Sequence, residues 1–191
     1  FAKSHLMKVI NFRSNDRRKD IIDLENALKK SILLNPKNPL PYALLGLIKE
    51  GHTLANFDTD LGKQRSNATK YVEKAIELGP ENIESLFYSG KFYRIIGNFN
   101  KAIKLFEKAI EIAPFGPEEI RINLVSTHLA NFDFDKASQI ATLLLNQGDK
   151  RSIFIGSMFL IYIKAKTGEI EDAKNNFKII LDEYNYTKEE A

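Results

Sequence analysis

Four alanines, Ala68, Ala102, Ala137 and Ala173, follow one another at steps of 34, 35 and 36 residues, and the stretches that lead into the last three are written alike: GNFNKA, FDFDKA and GEIEDA. Self-similarity at a period of this length marks a stack of equivalent supersecondary layers. Leu24 holds the same place one layer earlier, 44 residues before Ala68, so that layer carries about ten extra residues. A nine-residue ending recurs in step with the alanines, as LKKSILLNP at 28–36, VEKAIELGP at 72–80 and FEKAIEIAP at 106–114.

The residues inside one period explain why it repeats. Apolar side chains at 102, 103, 105, 106, 109, 110 and 112 follow the three-and-four spacing of a helix with one buried stripe. Period-two alternation is absent, so no strand is expected. Small residues at Gly46, Ala75, Gly90, Ala102 and Ala109 allow close approach of neighbouring helix backbones, with Phe99, Phe106 and Phe177 expected to fill the spaces between. Pro36, Pro80 and Pro114 cannot continue a helix and so end a layer. Asn98, Asn100, Asp133 and Asp135 are candidate caps for the orphan N–H groups of the helices that follow them. One helix pair alone exposes an apolar face that only another pair can cover, which is the physical reason for writing the ending three times.

The third unit resembles the tetratricopeptide repeat, with Leu86, Gly90 and Tyr93 on its first helix and Ala102, Phe106, Ala109 and Pro114 on its second. The second unit is similar through Leu45, Gly46, Ala68, Ala75 and Pro80, with Tyr42 and Val72 in place of signature aromatics. Units four and five are looser, placing Val125 and Ile161 where a small residue is expected, and the first survives mainly as DLENALKKSILLNP. The resemblance implies an all-α fold, a right-handed superhelical solenoid of about five helix-turn-helix units in one domain. The units are expected at 1–38, 39–82, 83–117, 118–152 and 153–191, the second carrying an inserted loop at 50–67, EGHTLANFDTDLGKQRSN. The insertion predicts a lengthened first helix followed by an ordered loop.

Composition narrows the function classes. With 28 basic and 25 acidic residues the formal charge is +3, too balanced to point to nucleic acid, and the basic run RSNDRRK at 13–19 reads as a solvated surface. No cysteine is present, which removes disulfides, thiolate nucleophiles and cysteine-ligated zinc and leaves cytoplasm and periplasm equally open. No apolar run is long enough to span a bilayer. The chain starts at Phe1 without a signal-peptide pattern and is expected to be a fragment or processed form. His5, His52 and His128 lack metal-ligand spacing. Asp58, Asp60 and Gly62 outline a calcium loop whose closing position is Thr69 rather than a glutamate. Phosphate loops and nucleophile elbows are missing as well, so a non-enzymatic protein without cofactor or metal is expected.

The resemblance further implies that the first helix of each unit lines a concave surface that takes a partner peptide or helix. Leu44, Leu47, Phe87, Lys91, Arg94, Ile122, Asn123, Ser126, Met158 and Tyr162 fall at lining positions. Chaperone-binding members of the family hold a carboxylate with a set of Lys, Asn and Arg residues. At the matching positions this chain offers Phe87 and Lys91, then Asn123, then Ile155 and Phe159, so only Asn123 fits. The lining suits an apolar-anchored peptide or amphipathic helix, with Lys91 and Arg94 favouring an acidic side chain. Alternatives stay open: Met158, Phe159 and Tyr162 could be covered by the tail at 184–186, and the solenoid could serve as a regulatory or sensory domain, similar in layout to those of bacterial membrane-anchored regulators. A structural protein that self-assembles as a homo-oligomer is the third reading.

Overall fold

The computed structural model describes residues 17–56, 61–146 and 149–189, with side chains placed for 19–50, 62–63, 65–146 and 149–183. His5, His52, Asp58, Asp60, most of the basic run 13–19 and the side chains of 184–186 therefore lie outside the described residues. Everything described as regular is helix: α1 (Arg17–Leu34), α2 (Pro39–Asn56), α3 (Leu61–Leu78), α4 (Ile83–Ile95), α5 (Phe99–Ile112), α6 (Glu118–Ala130), α7 (Phe134–Leu145), α8 (Lys150–Thr167) and α9 (Ile170–Glu189). These fall into two compact units, one ending at Ile112 and one beginning at Ala113.

In the first unit α2 packs on α1, α3 and α4, while α4 packs on α3 and α5; in the second, α8 packs on α6, α7 and α9, and α6 on α7. Within each unit a first helix meets its pair mate, the neighbouring first helix and, where the unit holds one, the helix before it, the neighbour-only contact pattern of stacked repeats. The spaced small residues sit where that packing needs them. A Cβ on Gly90 would lie 2.6 Å from Phe106 Cε1, and one on Gly46 would lie 2.4 Å from Val72 Cγ2. Ala68, Ala75, Ala102, Ala109 and Ala137 are fully buried, as is Phe106. Phe99 is half-buried, whereas Phe177 is 41% exposed and fills no seam, because its helix is the last described layer of the second unit and nothing described packs outside it.

In the second repeat the first helix is lengthened, as the insertion at 50–67 predicts, and the described residues 51–56 and 61–67 of the expected loop are helix; α2 and α3 are each 18 residues long, against 13 for α4 and 14 for α5. The extra turns are tied by Glu50, fully buried on α2, whose Oε1 accepts from Arg65 Nε at 3.0 Å and Nη2 at 2.6 Å. A charge-assisted two-point bond of this kind holds two helices in register where a loop would otherwise cost ordering entropy.

Caps and turns are partly as read. Asn98 Oδ1 accepts from Lys101 N–H at 3.2 Å and Asp133 Oδ1 from Lys136 N–H at 3.3 Å. Asn100 and Asp135 instead lie inside α5 and α7, since each follows the helix start set by its predecessor. Asn82 and Asp149 cap α4 and α8 by accepting from Ser85 N–H at 2.8 Å and Ser152 N–H at 2.9 Å. Between paired helices Gly97 and Gly168 take the left-handed conformation at φ 80° and 97°, but the equivalent turn after α6 places Phe132 there at φ 59°.

Candidate partner-binding faces

In the first unit the expected lining residues come from α2 and α4. Leu44 is a correction: α1 covers it, and at 5% exposure it belongs to a core with Leu24, Leu28 and Leu45. Leu47 is half-buried on the same helix. On α4, Phe87 lies 5.1 Å from the Tyr88 ring and 6.2 Å from Phe106, which fixes its orientation from below. Lys91 reaches back over these rings, its Nζ 5.4 Å from the Phe87 centroid and 6.0 Å from that of Tyr88. Arg94 stands three residues on, the spacing that puts two helical side chains on one face.

The electrostatics of this pair are unusual for a surface. Burial pushes the Lys91 ammonium below its ordinary pKa, and the neighbouring Arg94 charge lowers it further. Burial alone lowers Arg94. Arg94 Nε is buried without a hydrogen-bond partner, and neither cation forms an ion pair with a described residue. Desolvated like charges without a counter-charge are costly to keep on a fold, and a carboxylate brought between them would relieve both costs.

In the second unit α6 and α8 carry the remaining lining residues. Ile122 packs on a core of Val125, Ala137, Ala141, Leu144 and Ile163. Asn123 Nδ2 donates to Glu119 O at 2.7 Å and Ser126 Oγ to Ile122 O at 2.8 Å, so both polar side chains turn onto their own helix. That local bonding takes up a donor of the one residue that matched the carboxylate-holding pattern. Met158 is half-buried, while Tyr162 is 47% exposed with Lys166 Nζ 5.5 Å above its ring. Glu118 does more than sit in a first turn: Arg151 donates to it at 2.6 Å and Ser152 Oγ also binds it, pinning α6 to α8. His128 is a packing histidine, 2% exposed, with Nδ1 3.2 Å from Asp133 Oδ2.

Among the described residues no group of three or more His, Cys, Asp or Glu side chains could hold a metal ion, and no described helix is long and apolar enough to cross a membrane. Lys91 and Arg94, expected from the sequence at lining positions, stand one helical turn apart on α4. Tyr88, which the same reading of the sequence puts beside Phe87, completes the ring platform beneath Lys91, as aromatic residues at 87 and 88 with a lysine three and four positions later allow.

Residues 83–115 match the family model of the tetratricopeptide repeat. A human protein, interferon-induced protein with tetratricopeptide repeats 2, is 34% identical over 87 residues; the match takes in 46% of this chain and only 17% of the relative's length. Solved structures share the fold over nearly the whole chain. The crystal structure of MamA aligns at TM-score 0.67 with 17% identity, covering 90% of this chain and 93% of its own. A putative kinesin light chain with TPR-like repeats from Podosopora anserina aligns at TM-score 0.71 with 13% identity, covering 98% and 94%. At these identities the likeness speaks for an all-α solenoid fold of helix pairs.

Proposed function

Because the chain is a tetratricopeptide-repeat protein, we propose that it is a non-enzymatic interaction module which holds a segment of a protein partner on the α4 face of its first unit. The observation that carries this reading is the pair Lys91 and Arg94, two desolvated cations without counter-charge beside the Phe87 and Tyr88 rings. The rings supply an apolar anchor and the cations select a carboxylate, a combination suited to a short peptide or amphipathic helix with an acidic residue next to a hydrophobic one. Half-buried Leu47 extends the apolar part. Support from the fold is general: such repeats build rigid surfaces for protein partners.

The test is capture of partners from a native extract by the full chain and by a Lys91→Glu, Arg94→Glu variant, followed by binding of the captured protein's segment in isolation. Charge reversal should reduce affinity by about 2–4 kcal/mol if a carboxylate sits between the cations. Equal capture by both proteins, with equal helicity, removes this face from consideration.

A further inference from the structure

A different side of the first unit carries an open cleft of about 390 Å³ between α2 and α3. Tyr42 and Lys49 enter it from α2, and Asn67, Lys70, Tyr71 and Lys74 from α3. At 100° per residue, Tyr42 and Lys49 stand roughly 140–160° around α2 from Leu47, so the cleft is separate from the partner-binding face.

Its chemistry is one-sided. Three ammonium groups, two phenols and a carboxamide line it, and no carboxylate does. Lys49 is engaged by Glu25 at 3.0 Å, a carboxylate that also holds Lys29 at 2.8 Å. Lys74 pairs with exposed Glu77 at 2.8 Å, the kind of helix-surface pair that exchanges readily for a better anion. Lys70, Asn67 and the Tyr71 hydroxyl make no hydrogen bond with any described residue, leaving donors of three kinds unused at one place. Four lysines against Glu25 and Glu77 leave the neighbourhood positive. The wall behind them is fixed: Tyr71 packs on the Leu24, Leu28, Leu44 and Leu45 core, with the Tyr42 ring 6.5 Å away and its hydroxyl donating to Pro36 O at 3.2 Å.

We propose that this cleft binds a small organic phosphate: a phosphate monoester attached to a ring, of the size of a nucleoside monophosphate. Several donors, with Lys70, Asn67 and the Tyr71 hydroxyl not engaged by any described acceptor and Lys74 held only by an exposed carboxylate, suit a dianionic phosphate, for which lysine serves as a point charge. Two tyrosine rings offer the apolar wall against which a ring can lie. The volume falls at the lower end of the range for small-ligand pockets, roughly 300–1,000 Å³, more than a bare phosphate fills. The site does not depend on the partner face and would add ligand control to an interaction module.

The test uses the full chain at physiological salt, titrated by calorimetry with adenosine monophosphate, adenosine and inorganic phosphate in parallel. Saturable binding of the monophosphate is expected, with adenosine and phosphate each weaker by about tenfold or more. Replacing Lys70→Glu and Lys74→Glu together should weaken the monophosphate by at least about tenfold while helicity is kept, and Lys104→Glu, on exposed α5 surface, should leave it unchanged. The proposal is overturned by any of four results: adenosine binding as tightly as its phosphate, no saturation at millimolar ester, equal weakening by Lys104→Glu, or tighter binding of an acidic peptide, which would make the occupant a peptide instead.

Discussion

Gly90 shows most directly how one residue sets the seam between two helices. The missing Cβ lets the Phe106 ring press against the α4 backbone, and the nearest ring atom would be 2.6 Å from an added methyl. Gly90→Ala should therefore cost about 1–3 kcal/mol in urea unfolding, since an aromatic ring held at 0% exposure has nowhere to retreat. An unchanged midpoint would show that the two helices slide. Phe132 is the opposite case. It occupies the left-handed turn position that glycine fills after α4 and α8, and at 80% exposure it recovers little by burial. A left-handed conformation costs an L side chain roughly 1–2 kcal/mol, and glycine returns part of that gain through its freer unfolded chain, about 0.5–1 kcal/mol. Phe132→Gly is accordingly expected to stabilise the fold by up to about 1 kcal/mol, measured by the same unfolding curve; a clear loss would mean that the Phe132 ring, T-shaped on Phe134 at 6.5 Å, anchors the turn. Lys91 gives a third expectation. Its lowered pKa means that the unfolded chain binds the proton more tightly, so stability rises with pH between the folded value and the ordinary lysine value, and at neutral pH the charge opposes folding. Lys91→Leu should leave the protein as stable or up to about 1 kcal/mol more stable while weakening partner capture, the trade expected of a residue kept for binding.

Among the elements, α1 carries the most informative attachment. Leu24 and Leu28 bury against Leu44 and Leu45 of α2, and Glu25 beside them accepts from Lys49 of α2 and from Lys29 of its own helix. Burial works to raise the Glu25 carboxyl, but the two lysine hydrogen bonds outweigh it, and the net direction is down. A carboxyl held below its ordinary value favours the folded state fully above the unfolded pKa, about 4.3, and this contribution disappears as pH falls through the lowered folded value. Replacing Lys49→Met should remove part of that acid sensitivity below about pH 4, at a neutral-pH cost within about 1 kcal/mol. An unaltered acid limb in the variant would show that the cross-helix bond contributes nothing. The α2–α3 pair is tied at the same scale by one buried carboxylate, Glu50, to which Arg65 of the facing helix donates two N–H bonds.

For the whole molecule, the first unit ends at Ile112 and the second begins at Ala113, each with its own buried set. In a repeat array stability is a sum over neighbouring layers, so a chain stopped at Ile112 should keep cooperative helical unfolding, with a denaturant slope reduced in proportion to the surface it buries. Loss of cooperativity in that fragment would mean that its layers depend on residues beyond it. The proposed partner face on α4 and the cleft between α2 and α3 both lie within this unit, which makes it the natural piece for binding measurements once it is shown to fold.

What the amino-acid sequence determined by itself is everything carried by local and periodic chemistry. The 34-residue step, the apolar stripes, the prolines at layer ends and the seam residues Gly46, Gly90 and Ala102 follow from which side chains can sit on a helix face and how closely two backbones can approach. Only the tertiary structure decided what each position meets. Leu44 and Leu47 are three residues apart and equally apolar, yet α1 buries one and leaves the other half-open. Asn123 and Ser126 turn inward onto their own helix, whereas Lys91 and Arg94 are left desolvated without counter-charge. A side chain's availability depends on the helix that packs over it, and that neighbour comes from a distant stretch of sequence that no local pattern encodes.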